Sequence, residues 1–139
     1  MNNLRQNNIT SDIKVAEYIS EATSFQSKKN IRIEYPVFNA SVTIKKMSDQ
    51  LVSNGPGVYF FHDLRGIHYI GETSDLKSRF KTHIKKEKNQ KLAKAINSSF
   101  GEMNFSWVET SSKMEALIHQ KKWIRLFKPK CNEIFYKNN

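Results

Sequence analysis

Two tyrosines, an arginine and a histidine follow one another at short intervals in the middle of this sequence. Tyr59 and Tyr69 are ten residues apart, Arg79 comes ten residues later, and His83 lies four residues beyond it. A guanidinium offers planar, paired hydrogen-bond donors, and an imidazole changes its charge near neutral pH. If folding brings these groups together, they could transfer protons beside a bound anion.

The same residues also have ordinary structural explanations. A cross-strand pair of tyrosines is a common stabilising feature of a hairpin. Arg79 and His83 would share one face of a helix, which could simply be exposed to solvent. Glu115, three residues after Ser112, fits a capping box in which its carboxylate reaches back to the Ser112 amide. The residue pattern alone leaves both explanations open.

Residues 58–71 predict a β-hairpin with a turn at residues 63–66. If residue 61 pairs with residue 67, Tyr59 lies opposite Tyr69, with their Cβ atoms about 5 Å apart. Because side chains alternate along a strand, Phe61 and Ile67 would then share the same face. This register would place both phenols side by side.

Hydrophobic spacing and capping residues predict the other elements. In chain order they are a helix at residues 12–22, an edge strand at 31–35, a helix at 44–52, a helix at 75–84, a short helix at 92–96, a strand at 105–108 and a final helix at 112–128. This order predicts an α/β (α+β) fold, in which a small central antiparallel sheet of about three strands is flanked by helices. We expect residues 1–54 to form an N-terminal helix and strand extension packed on the core, and residues 55–139 to form the core domain.

The composition restricts the environment of the chain. With 139 residues, 38% of them hydrophobic, it can form a single compact domain. No apolar run approaches the roughly 18 residues of a membrane span, and the N-terminus lacks the apolar part of a secretory signal. The single cysteine, Cys131, cannot form an internal disulfide, and the four histidines show no zinc-ligand spacing. We therefore expect a cytoplasmic protein without a membrane partner or a structural metal.

The charge of +10 at pH 7 suits a polyanionic partner. Many basic proteins are merely soluble, but here the basic residues form two clusters, at residues 77–94 and 121–130. Glu87 is the only acid in the first cluster, and the second contains none. Such clusters would attract a phosphate backbone and make binding depend strongly on salt. The residues that we expect to contact nucleic acid are Lys77, Lys81, Lys85, Lys86, Lys91, Lys94, Lys121 and Lys122.

Five separated motifs, taken together, resemble one family. They are Gly57-Val58-Tyr59, Tyr69-Ile70-Gly71, Arg79 with His83, the glutamate that opens the last helix, and Asn132. In this order and spacing they resemble the GIY-YIG nuclease superfamily. Within it, the likeness is strongest to the N-terminal nuclease domain of the excision-repair protein UvrC and its relatives. The resemblance covers residues 55 to about 135.

The resemblance implies a divalent-metal-dependent endonuclease that hydrolyses phosphodiester bonds in DNA. Tyr59 and Tyr69 match the two motif tyrosines, and Arg79 matches a catalytic arginine that would clamp the phosphate. Glu115 matches the single carboxylate that binds Mg²⁺, for which Mn²⁺ could substitute. Asn132 matches a supporting asparagine that would orient Glu115 or the chain near it. All of these assignments come from the resemblance.

Two points of the mechanism stay open in the sequence. His83 falls where relatives carry histidine or tyrosine, so the general base is either Tyr59 or His83. Glu72 departs from the family pattern, because many relatives have lysine after Tyr-Ile-Gly. This departure puts any lysine-assisted version of the chemistry in doubt.

A non-cleaving nucleic-acid-binding module that kept the nuclease fold is the alternative function. In either case the expected partner is DNA, double-stranded rather than RNA, with no small-molecule cofactor. A protein partner could supply the targeting. Target specificity, biological role and oligomeric state have no signal in the sequence.

Overall fold

The computed structural model describes residues 34–44 and 48–132, and the structural statements below concern those residues. The predicted helix at 12–22 and most of the predicted strand at 31–35 lie outside them. At the described end of that strand, Glu34 and Tyr35 belong to no strand. The predicted helix at 44–52 is also only partly described, and its described part contains a 3₁₀ turn, Ser48–Leu51.

The described chain is built around one antiparallel sheet of four strands. The strands are β1 (Ala40–Thr43), β2 (Gly57–Asp63), β3 (Gly66–Thr73) and β4 (Asn104–Glu109), in the spatial order β1-β4-β2-β3. The two predicted hairpin strands and the predicted strand at 105–108 are confirmed, and β1 is a strand that the sequence pattern did not predict. Although β1 lies in the predicted N-terminal extension, it pairs with β4 in the same sheet. The division of the chain at residue 54 stays a prediction.

Three helices flank the sheet. They are α1 (Leu76–Lys85), α2 (Gln90–Asn97) and α3 (Lys113–Phe127), and a second 3₁₀ turn follows at Lys130–Asn132. Each helix begins after a polar residue whose side chain accepts a hydrogen bond from an amide of the first turn. These capping residues are Asp75, Asn89 and Ser112. None of the described helices is long and apolar enough to cross a membrane.

The sheet separates two hydrophobic layers. Every residue of β2 is buried, so this central strand contributes alternate side chains to both layers. The layer on the α1 and α2 side includes Tyr59, Phe61, Leu76, Phe80 and Phe105. The layer on the α3 side includes Val58, Phe60, Ile70, Ala116, Trp123 and Ile124. A helix on each face therefore holds the β2–β3 hairpin in place.

The hairpin forms, but the predicted register is wrong. Tyr59 lies opposite Gly71, and Tyr69 lies opposite Phe61. The pairing shifts after Phe61, where His62 pairs with Ile67 and leaves His68 as the extra residue of a β-bulge. Because of this bulge, Ile67 packs in the α3 layer and not beside Tyr69. The two tyrosines still share one face, with ring centroids 6.1 Å apart.

A buried carboxylate explains why the bulge forms. Asp63 accepts hydrogen bonds from the Arg65 amide and from Nε2 of His68, each at 2.8 Å, and from the Phe100 amide at 2.9 Å. Although burial alone would raise it, these donors and the Arg65 side chain lower the pKa of Asp63 to about 2. Because His68 is hydrogen-bonded to Asp63, it leaves the regular alternation of side chains along β3. The hairpin is thus shaped by its ionised turn residue.

Candidate active site

A cavity of about 480 Å³ opens at β3, the strand at one edge of the sheet. The hairpin contributes Tyr59, Tyr69 and Glu72 to its lining, and α1 contributes Arg79. Because Glu72 is three residues from Tyr69 on β3, their side chains project to opposite faces of the sheet. The cavity therefore reaches around the edge strand from the α1 side to the α3 side. The α3 lining residues are Leu117, Gln120, Lys121, Ile124 and Arg125.

Gly71 is the residue that allows Tyr59 to lie at this edge. A Cβ atom on Gly71 would lie 2.2 Å from Cζ and 2.3 Å from the hydroxyl oxygen of Tyr59. The Tyr59 ring therefore rests directly on the backbone of Gly71, which is also its partner in the strand ladder. On its other side the ring stacks on Phe105, with centroids 5.2 Å apart. The packing of Tyr59, a candidate catalytic residue, therefore requires glycine at position 71.

The Tyr59 hydroxyl takes part in a chain of three polar side chains. Its oxygen lies 2.9 Å from Nε2 of His83, and Nδ1 of His83 is hydrogen-bonded to the carboxylate of Glu87. A carboxylate only accepts, so Nδ1 carries the imidazole proton and Nε2 is left to accept from the Tyr59 hydroxyl. The second Glu87 oxygen accepts from the Asn89 amide at 2.9 Å, which fixes the carboxylate. We call Tyr59, His83 and Glu87 the proton relay.

Burial sets the protonation of this relay. Desolvation raises the pKa of Tyr59, and the neighbouring Tyr69 adds to the increase, while the charge of Arg79 opposes it. Desolvation also lowers the pKa of His83, although the hydrogen bond from its ring to Glu87 raises it in part. At neutral pH the phenol therefore keeps its proton and the imidazole is neutral. The free base of the relay is Nε2 of His83.

Arg79 and Tyr69 complete the α1 side of the cavity. Arg79 is exposed and lies four residues before His83, so both side chains leave the same face of α1. Within the described parts of the chain, Arg79 forms no ion pair with an acidic residue. Tyr69 is partly buried, and its pKa is raised by desolvation first and by the Glu87 charge second. Both polar groups line the cavity, and each interacts with the Tyr59 side chain.

The structure does not bring Glu115 to this cavity. Gln120 and Ile124, five and nine residues later on α3, line it. At 3.6 residues per turn, nine residues are about two and a half turns, so Glu115 points away from the face that carries Ile124. Its carboxylate accepts from the Ser111 amide at 2.7 Å, while its own amide donates to Oγ of Ser112 at 3.1 Å. The capping box forms, with its return bond one residue earlier than expected, and the metal-binding role of Glu115 stays a prediction.

The side chain of Asn132 is hydrogen-bonded to the backbone of β3 and not to Glu115. Its side-chain oxygen accepts from the Ile70 amide at 2.8 Å, and its side-chain nitrogen donates to the Ile70 carbonyl at 2.9 Å. Ile70 is on edge strand β3, so the amide of Asn132 pairs with the backbone as a neighbouring strand would. Asn132 is fully buried, and it fixes the strand between Tyr69 and Gly71.

We expect Asn132→Ala to lower the free energy of unfolding by about 2 to 4 kcal/mol, because two buried backbone groups of Ile70 lose their partners. Urea denaturation followed by circular dichroism measures this change. Asn97→Ala, at an exposed position at the end of α2, is the matched control. If Asn132→Ala lowered the free energy of unfolding no more than the control does, the amide and carbonyl of Ile70 would not depend on Asn132 for their hydrogen bonds.

The predicted nucleic-acid-binding lysines lie in different surroundings. Lys121 lines the cavity, and the other seven are outside its lining. Lys77, Lys81 and Lys85 are four residues apart, so they follow one stripe along α1. Nζ of Lys122 lies 2.8 Å from the Glu34 carboxylate, and Nζ of Lys81 lies 4.0 Å from the Asp49 carboxylate. Lys85 and Lys86 are exposed at the end of α1, and Lys91 and Lys94 are exposed on α2.

Sequence reasoning missed Glu87, the carboxylate of the relay, as well as Glu72, Gln120 and Arg125 of the cavity lining. Glu87 stands four residues after His83, a spacing that allows contact on one helix face. Since it is the only acid within a run of bases, the pattern also fits a charge that faces solvent. The hydrogen bond from Nδ1 of His83, whose ring packs against Tyr59 and Phe61, shows that Glu87 orients a neighbour of the cavity.

The sheet, the hairpin motifs and the cavity define a protein of the GIY-YIG class, and comparison with known proteins agrees. The model of the UvrC-like GIY-YIG domain matches residues 55–133, more than half of the chain. The chain therefore belongs to the UvrC-like GIY-YIG domain family.

Individual relatives match over the same part. UvrABC system protein C of Hydrogenobaculum sp. is 36% identical over 78 residues, and that of Haemophilus influenzae is 33% identical over 82 residues. The matches cover 55% and 58% of this chain, but only 13% of each relative. The chain thus matches a small part of these proteins.

A solved structure shows the same fold. The GIY-YIG N-terminal endonuclease domain of UvrC from Thermotoga maritima, bound to its catalytic magnesium, superposes with a TM-score of 0.51 at 21% identity. The superposition covers 61% of this chain and 91% of that domain. The predicted fold class and family are confirmed.

Proposed function

We propose that this chain is a divalent-metal-dependent endonuclease that hydrolyses phosphodiester bonds in DNA. The observation that carries the proposal is the meeting of Tyr59, Tyr69 and Arg79 in one cavity, with the Tyr59 hydroxyl hydrogen-bonded to a neutral imidazole. This arrangement places a phosphate-binding cation in the same cavity as a phenol that is hydrogen-bonded to a proton acceptor. Membership of the UvrC-like GIY-YIG family supports the same activity.

In the proposed reaction the relay removes a proton from the attacking water. The water proton passes to the Tyr59 oxygen as the Tyr59 proton passes to Nε2 of His83. The resulting hydroxide forms a bond to phosphorus, and the bond from phosphorus to the leaving oxygen breaks. The leaving oxygen takes a proton from solvent, and His83 later returns its proton to solvent. His83 is thus the final base, and Tyr59 is the group that touches the water.

Tyr59 acting alone as a phenolate fits the structure less well. A phenol has a pKa of about 10 in water, and burial raises that of Tyr59 further. Transfer to Nε2 of His83, at 2.9 Å, avoids forming an isolated buried charge because the imidazolium is held by Glu87. These observations support His83 as the final base, acting through Tyr59, over Tyr59 acting alone.

Arg79 is proposed to bind the scissile phosphate. Its guanidinium stays protonated and can donate two parallel hydrogen bonds to phosphate oxygens. Such bonds gain strength as negative charge develops during attack, and each can lower the barrier by about 3 kcal/mol. Tyr69, beside Tyr59, is proposed to orient the water or a second phosphate oxygen.

The proposed reaction also includes a divalent cation, Mg²⁺ or in its place Mn²⁺. When bound, it would polarise the phosphate and neutralise charge on the departing oxygen. Mg²⁺ retains several waters and needs only one or two protein carboxylates together with substrate phosphates. Among the residues that line the described cavity, Glu72 is the one that offers a carboxylate.

DNA is the proposed partner because of the surface charge. The cavity opens beside Arg79, Lys121 and Arg125, and the α1 lysines extend the basic surface away from it. We propose that the substrate is double-stranded DNA and that the chain acts in the cytoplasm. A protein partner would direct it to its target. A role in DNA repair is proposed on the basis of the UvrC relatives.

The function is tested by incubating the full chain with supercoiled plasmid, with and without Mg²⁺. We expect nicked and linear products only with Mg²⁺, and none when EDTA is added. Arg79→Ala, prepared in the same way, controls for a contaminating nuclease. DNA binding without any cleavage would reject the endonuclease and favour a non-cleaving binding module.

Removal of Lys85 and Lys86 together should weaken the salt dependence of DNA binding. Each lysine that neutralises a phosphate adds about 0.9 to the slope of log Kd against log salt, so the double alanine variant should lose roughly 1 to 2 units of slope. Fluorescence anisotropy of a labelled duplex in EDTA measures the slope without cleavage. Lys113→Ala, an exposed charge at the start of α3, is the control. An unchanged slope would assign both lysines to a surface that only faces solvent.

A further inference from the structure

We propose that Glu72, and not Glu115, is the carboxylate that holds the divalent cation in this cavity. The inference rests on the proposed endonuclease function, because it names the cation ligand of the same site. It assigns a binding role to the position where the sequence departs from relatives that carry lysine.

The first observation is the placement of the side chain. Among the cavity-lining residues, Glu72 is the only one with a carboxylate. It lies on β3 one residue after Gly71, the residue on which the Tyr59 ring rests. Its side chain projects to the α3 side of β3, so it lines that side of the cavity, while Tyr59 and Tyr69 line the α1 side.

The second observation is an unpartnered buried atom. Oε2 of Glu72 is shielded from solvent and has no hydrogen-bond partner among the described residues. A buried carboxylate oxygen without a partner is unfavourable, because it loses its hydration without compensation. A hard cation that prefers oxygen ligands is the kind of ligand that such an oxygen can bind.

The third observation is that Glu115 is already engaged elsewhere. Its carboxylate accepts hydrogen bonds from the amide and the hydroxyl of Ser111, at 2.7 and 3.4 Å, and caps the first turn of α3. To reach the cavity it would have to give up this cap and cross to the other side of the helix. The α3 residue that does face the cavity and offers an oxygen is Gln120.

The charge balance of the cavity explains how a cation would be retained. Arg79, Lys121 and Arg125 line the cavity with Glu72, so the positive side chains outnumber the negative one. These neighbours repel Mg²⁺ when the cavity contains no phosphate, and a bound DNA phosphate offsets them. Cation and DNA should therefore bind cooperatively, and each should raise the affinity for the other by the same factor.

The experiment measures Mn²⁺ binding to the full chain by electron paramagnetic resonance, with and without a phosphorothioate duplex that resists cleavage. Glu72→Gln should raise the Kd for Mn²⁺ by at least about tenfold in the presence of duplex, and Glu72→Asp should remain within about threefold of the unchanged chain. Glu115→Gln, which can still accept from the Ser111 amide, should bind as the unchanged chain does. The duplex should tighten Mn²⁺ binding to the unchanged chain.

Loss of Mn²⁺ binding in Glu115→Gln with retention in Glu72→Gln would overturn the inference, and so would absence of Mn²⁺ binding by the unchanged chain. Plasmid nicking on the same preparations separates this result from the proposed function. Mn²⁺ bound through Glu72 without any nicking would reject the endonuclease but support the site. Plasmid nicking together with Mn²⁺ binding that does not depend on Glu72 would support the endonuclease and reject the proposed site.

Discussion

Replacing Arg79 by alanine should lower the rate of DNA cleavage by at least about 100-fold, the usual effect of removing one donor to developing charge. The residue lines the cavity next to Tyr59, is exposed to a ligand, and has no acidic partner among the described residues that would compete with a phosphate. Its loss should change the affinity for DNA much less, because the lysine stripe along α1 remains. Single-turnover cleavage of an end-labelled duplex, combined with anisotropy in EDTA, measures both quantities.

Arg79→Lys distinguishes charge from geometry at this position. Lysine keeps the positive charge but lacks the planar pair of donors, so it should recover only a small part of the lost rate. Lys88→Ala removes an exposed charge after α1 and serves as the control for net charge. Full activity of Arg79→Lys would show that paired donation to the phosphate is not used. If Lys88→Ala lowered the cleavage rate as much as Arg79→Ala does, both effects would come from the loss of net positive charge and not from a specific phosphate contact.

Local signals predicted most of the elements that surround the cavity. The capping residues Asp75 and Ser112 begin α1 and α3 as expected, and the turn residues at 63–66 form the hairpin. These features depend on interactions within one turn of chain. Strand β1 was not predicted, because only Val42 in its four residues is buried. Its partner, β4, is distant in the sequence, so no local pattern could indicate the pairing.

The hairpin register shows where the local pattern was insufficient. The turn lies where it was predicted, but Asp63 pairs with Gly66, one residue away from the predicted register, and His68 adds a second shift that depends on the Asp63 carboxylate. Asp63 is buried against the Phe100 amide, far along the chain. A single bulge reverses the faces of all residues before it in the strand relative to those after it. The turn pairing and the bulge together place Tyr59 opposite Gly71, and this contact explains the glycine of the second motif.

The placement of α3 explains the difficulty with Glu115. A glutamate that opens a helix fits both a capping box and a metal ligand, and the sequence offers no means to separate them. Which face of the helix meets the cavity depends on the packing of Ala116, Trp123 and Ile124 against the sheet. That packing directs Gln120 to the cavity and leaves Glu115 with the cap. The side-chain identities were visible in the sequence, but the rotation of the helix was not.

The relay predicts a characteristic pH dependence. Only neutral His83 can accept the Tyr59 proton, so the cleavage rate should fall as the pH falls through the pKa of His83. Because burial lowers this pKa below the 6.5 of an ordinary histidine, the wild-type chain should keep its rate at pH 6.5 and lose it at lower pH. His83→Ala should reduce the rate by about 100-fold or more at every pH, as loss of a general base does.

Glu87→Gln provides the sharper test, because its effect on the pKa has a definite sign. The Glu87 carboxylate raises the pKa of His83 through its hydrogen bond and its charge. A glutamine oxygen can still accept from Nδ1 but carries no charge, so the pKa of His83 should fall further and the acid limb should move to lower pH. The rate at neutral pH should drop by at least about tenfold, since the imidazolium loses its stabilising partner. Glu102→Gln, an exposed acid outside the cavity lining, should leave the profile unchanged. If Glu87 only supported the fold, its replacement would lower the melting temperature without moving the acid limb, and a shift toward higher pH would contradict the relay outright.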